Sequence, residues 1–147
     1  MVGSTGQYVV QHYLLLQSTQ GGIFGNNQAE MYKFHYGSDW WATAARIHST
    51  TSFGHLLAIR GFKSTSSEKT GTLKFRGGEW QQISVVVNAL SVQYLVTKGS
   101  SDTLTLDSTA AATTKVEFLP VTGGLYYIKD FMVWDGITTP PTSHYCL

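Results

Sequence analysis

The sequence predicts an all-β chain, an antiparallel β-sandwich or jelly roll of about ten short strands. Three observations carry that expectation. Apolar and polar residues alternate with period two along most of the chain, in runs rich in β-branched and aromatic residues. Clusters of Gly, Ser, Thr and Asn separate the runs at spacings near ten residues, the rhythm of a sandwich. No long stretch of helical periodicity competes.

The strands are expected in order at 8–16, 30–36, 41–48, 55–63, 71–76, 80–88, 90–98, 103–106, 115–119 and 125–134. In the second, Tyr32, Phe34 and Tyr36 share one face, and Met31, Lys33 and His35 the other. The third, within SDWWATAARI, is ambiguous. Asp39 is a suitable N-cap and the alanines favour a helix. Alternation of Trp41, Thr43, Ala45 and Ile47 with Trp40, Ala42, Ala44 and Arg46 favours a strand, which is the reading adopted. In the sixth, Ile83, Val85 and Val87 point one way. In the seventh, Leu90, Val92, Tyr94 and Val96 do. In the last run, unbroken alternation groups Tyr127, Lys129, Phe131 and Val133 against Tyr126, Ile128, Asp130, Met132 and Trp134.

The 147 residues fit one domain with a core large enough to fold without staples. It is expected at 8–137, after a flexible lead-in at 1–7 and before a tail at 138–147. Pro140 and Pro141 make that tail extended, lying either on a neighbouring subunit or on its own domain. Charged residues make up 13%, about half the usual share. Uncharged polar residues replace them, as suits an extracellular, viral or assembly surface. Self-association is expected, a trimer above other states.

Net charge is +1 and the ten basic residues are scattered, so no nucleic-acid partner is expected. No apolar run approaches the roughly 20 residues of a membrane span, and MVGSTGQ lacks the marks of a signal peptide. The single cysteine, Cys146, excludes an internal disulfide and reads as a free thiol. His12, His35, His48, His55 and His144 lie on separate segments with no spacing that asks for a metal. No cofactor or metal is expected. Of the nine carboxylates, Glu79 and Asp130 are the pair considered for glycosidase chemistry. Such pairs arise by chance in any β-protein of this size, and no G-x-S-x-G elbow occurs. The expectation is a non-enzyme.

The aromatic residues, 13% of the chain, are the stronger signal. Most belong to the core, where one ring buries roughly 150–250 Å². Trp40 and Trp41 are adjacent, as are Tyr126 and Tyr127, so on strands one member of each pair faces inward and one outward. The candidate binding rings are Trp40, Trp41, Tyr36, Tyr126 and Tyr127. Exposed rings of this kind stack on sugars or anchor protein interfaces.

YKFHYGSDWWATAARIHSTTSFGHLLAIRGF, with VQYLVTKG and YYIKDFMVWDG, resembles modules near the tips of bacteriophage tail fibres and tailspikes. Trp41, Ala44, Ala45 and Ile47 match an aromatic-led strand with a small-residue core. Leu57, Ile59 and Arg60 match an L-x-I-R strand, and Val92, Tyr94, Val96 and Lys98 a later one. Thr43 stands near the lysine position of the first pattern. GEWQQISVVVN, LSVQYLVTKG and YIKDFMVWDG are also similar to strands of laminin-G and concanavalin-like sandwiches, without the acidic calcium loop of many lectins in that group. These resemblances imply a virion structural protein, a fibre-type module that touches host cell-surface glycan and other virion proteins. A capsid or tail decoration protein that cements the particle is the alternative, and a glycan-active hydrolase a distant third.

Overall fold

The computed structural model describes residues 3–16, 29–47, 55–62, 69–75, 79–96, 101–106, 110, 112–119 and 126–141. Of the Gly/Ser/Thr/Asn clusters expected as turns, 19–28, 49–54 and 122–124 lie wholly outside these residues, as do His144 and Cys146, and 63–71, 76–79 and 98–102 lie outside them in part. The strands are β1 (Gln7–Leu16), β2 (Ala29–Tyr36), β3 (Asp39–Ile47), β4 (His55–Phe62), β5 (Lys69–Phe75), β6 (Gln81–Asn88), β7 (Ser91–Val96), β8 (Ser101–Thr105), β9 (Lys115–Phe118) and β10 (Tyr126–Asp135). No helix occurs among the described residues, and the ambiguous third segment is a strand.

The strands form two antiparallel five-stranded sheets, ordered β10-β1-β6-β7-β8 and β5-β4-β3-β2-β9, which pack as a sandwich. The chain changes sheet between β1 and β2, β5 and β6, β8 and β9, and β9 and β10. The last strand returns to lie beside the first, and β9 beside β2, as in Greek-key closures. Alternation does the sorting. Tyr8, Val10 and Leu14 of β1, Ile83, Val85 and Val87 of β6, and Val92, Tyr94 and Val96 of β7 meet Tyr32, Phe34, Tyr36 and Trp41 of the second sheet in one core.

The core is polar in a controlled way. Trp41 Nε1 donates to Tyr8 Oη at 2.8 Å, His12 Nε2 meets Tyr32 Oη at 2.8 Å, and the Thr43 and Tyr94 hydroxyls are bonded to each other. Each pair joins one sheet to the other. A buried hydroxyl or ring nitrogen without a partner costs about 1–3 kcal/mol. A slip of either sheet would therefore break several such bonds at once. Burial pushes the Tyr8, Tyr32 and Tyr94 hydroxyls up from their ordinary range, so they stay protonated and remain able to donate.

Two bulges change faces that plain alternation assigned. In β2 the register passes from Glu30 opposite Ala44 to Tyr32 opposite Thr43. Met31 is the extra residue, and it is buried in the core and not on the face of Lys33 and His35. In β10 the register passes from Met132 opposite Gln11 to Lys129 opposite Tyr13, so Asp130 and Phe131 together face His12. This corrects the grouping expected for the last strand. Tyr126 and Ile128 before the bulge, and Phe131 and Val133 after it, all pack on the core. Tyr127 and Lys129 join Met132 and Trp134 on the outer side.

Asp130 adopts φ 56° in this bulge, the left-handed region in which an L-residue strains its Cβ. Asp tolerates it better than most residues, and a β-branched residue does not. We expect Asp130→Val to lower stability by about 1–2 kcal/mol, and Asp130→Gly to be neutral or mildly stabilising. Thermal melts of the two variants check this. Equal melting temperatures would mean that the bulge relaxes without cost.

The ends of the domain are tied down. Residues 3–6, within the expected lead-in, form a turn in which Gly6 N donates to Gly3 O at 2.8 Å. Gly3 N donates to the Asp135 carboxylate at 2.9 Å. Gly3 has φ 77°, and a Cβ there would sit 2.9 Å from the Tyr8 ring, so glycine is required. At the other end, Gln11 Nε2 donates to Pro141 O at 3.1 Å and to Ser84 Oγ at 3.2 Å. The start of the tail thus rests on the outer side of the first sheet of its own domain.

Candidate functional site

Each sheet has an outer face, and each outer face carries a cation laid over aromatic rings. On the second sheet, Lys33 lies opposite Ala42 and His35 opposite Trp40. Lys33 Nζ sits 4.0 Å from the centre of the Trp40 ring. Beside them, His35 Nε2 meets Glu117 Oε1 at 3.1 Å, and Lys115 Nζ meets Glu117 Oε2 at 3.5 Å. The His35 hydrogen bond is the main cause that holds the Glu117 carboxyl below its ordinary value, with Lys115 adding to it. The Glu117 carboxylate is thus shared by His35 and Lys115.

The outer face of the first sheet differs. Alternation in β1 turns Tyr13 and Leu15 outward, and the register places Tyr13 between Gln82 of β6 and Lys129 of β10. Tyr127 lies opposite Leu15. Trp80, just ahead of β6, completes the group. Lys129 Nζ is 4.4 Å from the Trp80 ring centre and 5.4 Å from that of Tyr13. Both are cation–π distances, worth about 0.5–1 kcal/mol each at exposed sites. Trp80 is 39% and Tyr127 46% exposed. Among the described residues no carboxylate pairs with Lys129. Among the described residues, the outward positions of β6 and β7 include the neutral Gln82, Gln93 and Leu95 and the buried Ser84.

The five rings expected as binding residues are thus divided. Trp40 faces outward beneath Lys33, and Tyr127 faces outward beside the Lys129 group. They stand on the outer faces of opposite sheets and form no common site. Trp41 and Tyr36 are corrections as surface rings, at 0% and 5% exposure. Tyr36 follows Tyr32 and Phe34 inward by alternation, and Trp41 stacks on Phe34 at 4.6 Å. Tyr126 is corrected too. It packs against the core, and its hydroxyl donates to Leu119 O at 2.6 Å.

Trp80, Tyr13 and Lys129 were missed as site residues. The signal for Tyr13 was its place two residues from Gln11 on the polar side of β1. For Trp80 it was a tryptophan directly after a Gly-Gly-Glu turn. Among the described residues, no group of three His, Cys, Asp or Glu side chains is placed to hold a metal ion. Of the pair considered for glycosidase chemistry, Asp130 is exposed at the bulge and Glu79 is half-buried next to Trp80. Compared with known proteins, the chain matches no protein-family model and no curated protein sequence.

Proposed function

We propose that this protein is a non-enzymatic recognition module of a bacteriophage virion, and that it binds host cell-surface glycan on the outer face of its first sheet. The observation that carries this reading is the bulge at Asp130. An edge strand accepts a left-handed aspartate there, and the consequence is that Tyr127 and Lys129 turn outward beside Trp80 and Tyr13. Bulges that re-aim side chains in this way recur next to functional sites. Exposed rings on a rigid sheet present flat apolar faces to sugars at little cost in side-chain entropy. The virion setting draws on the resemblance to tail-fibre modules and on the charge-poor surface. Other copies of the chain, as a trimer, and neighbouring virion proteins are the expected partners.

The test is a glycan array probed with the full chain and with Tyr127→Ala and Trp80→Ala. Each truncation is expected to weaken binding at least about tenfold, the effect of removing one hot-spot ring, with the melting temperature little changed. Full binding by both variants would place the site elsewhere. No binding by the wild-type chain to any glycan would end the reading.

A further inference from the structure

Among the described residues, Lys129 on the proposed binding face has no carboxylate partner, and that unpaired cation specifies the ligand. We propose that the glycan is acidic, and that its carboxylate or sulfate pairs with the ammonium of Lys129. This rests on the glycan-binding reading above and sharpens it. On the second sheet, the cation at Lys115 and the ring of His35 already share the carboxylate of Glu117. On the first sheet, the contacts of Lys129 among the described residues are with the faces of Trp80 and Tyr13.

Ring faces hold an ammonium in position without neutralising it as an anion does. They also exclude water from part of its surface, which strengthens its pull on an arriving anion. Gln82, which lies directly across Tyr13 from Lys129, donates and accepts hydrogen bonds and adds no opposing charge. Lys129 covers one face of Trp80, and Tyr127, two residues away on the same side of β10 and 46% exposed, offers a further ring for stacking. An acidic sugar fits this pattern. Its anion meets Lys129, its apolar ring face lies on Tyr127, and its hydroxyls meet the Gln82 amide.

The experiment uses an array of paired glycans, each uronic, sialic or sulfated member printed beside its carboxyl-reduced or desulfated counterpart. The full chain is expected to bind acidic members about tenfold more tightly than their neutral partners. Lys129→Met is expected to abolish that difference. Raising salt from about 0.05 M to about 0.5 M is expected to weaken acidic binding selectively in the wild type, as screening of an exposed pair requires. Preference for carboxylated over sulfated members, or the reverse, identifies which anion is read. Equal binding of acidic and neutral members by the wild type overturns the inference while leaving glycan binding intact. So does a preference that survives both Lys129→Met and high salt. If the wild type binds no member at all, the glycan reading itself falls and this inference with it.

Discussion

Replacing Trp41 with alanine is expected to cost about 3–5 kcal/mol, the range for removing a large aromatic from a packed core. Few positions in the chain should cost as much. The indole is fully buried. It stacks flat on Phe34 at 4.6 Å and 8°, and meets Tyr32 edge-on at 6.2 Å. Its nitrogen donates to Tyr8 across the sandwich at 2.8 Å. Alanine removes the stacking and the area, and it also leaves Tyr8 Oη with only a long contact from Thr113 at 3.5 Å. Domains of this size hold about 5–15 kcal/mol in total, so the variant should sit near the edge of folding. Trp41→Phe keeps most of the ring area and loses the bond to Tyr8, and is expected to cost about 1–2 kcal/mol. Urea unfolding checks both. The midpoint should fall in that order with little change in slope. A loss under about 1 kcal/mol for Trp41→Ala would mean that the stack contributes little and that the core collapses readily into the space.

The same residues show how far the amino-acid pattern could be followed. The class of fold was legible because period two survives wherever a strand is unbroken. Tyr8, Val10 and Leu14, and likewise Ile83, Val85 and Val87, point inward as their alternation requires. Trp40 and Trp41 could be assigned to opposite faces for the same reason. Choosing which of them faces the core needed the partner strand, since only the pairing of Trp41 with Phe34 across β2 and β3 decides it. The errors fall at the two bulges. One extra residue inverts every face beyond it, and nothing in MYKF or YIKDFMV marks Met31 or Asp130 as that residue. An aspartate is at least compatible with left-handed backbone, whereas methionine in a run of apolar residues gives no local hint. The binding face was hidden for a related reason. Trp80, Tyr13 and Lys129 come from three distant parts of the chain and meet only because β1 lies between β10 and β6, an order that periodicity does not contain.

His12 should make the protein's stability depend on pH between about 7 and about 4, and the residues around it fix the direction. The side chain is 1% exposed. It stacks on Phe131 at 5.6 Å and meets Tyr32 edge-on at 5.3 Å. Nδ1 lies 3.3 Å from the carbonyl of Tyr13, an acceptor only, so Nδ1 carries the proton and Nε2 accepts from the Tyr32 hydroxyl at 2.8 Å. Both nitrogens are therefore satisfied in the neutral ring. A second proton would place a charge among aromatic rings and turn the Tyr32 hydroxyl from donor to acceptor. Burial is the main cause that lowers this pKa from 6.5 to about 4, and the Tyr13 carbonyl opposes it. The folded state then binds fewer protons than the unfolded state throughout that interval, so stability rises with pH across it. Above about pH 7 both states are neutral and the contribution is flat. Below about pH 4 both are protonated and the loss is complete. The shift corresponds to about 3 kcal/mol at roughly 1.4 kcal/mol per unit. Glu117, held low by His35 and Lys115, adds a loss only further down, as its own carboxyl protonates. Unfolding midpoints measured from pH 7 to pH 4 should fall steadily in the wild type. His12→Gln, less stable at neutral pH, should show a much shallower slope. A wild-type stability that stays level down to pH 5 would mean that the folded core accepts the imidazolium, and with it that the hydrogen bond between His12 and Tyr32 does not hold the ring neutral.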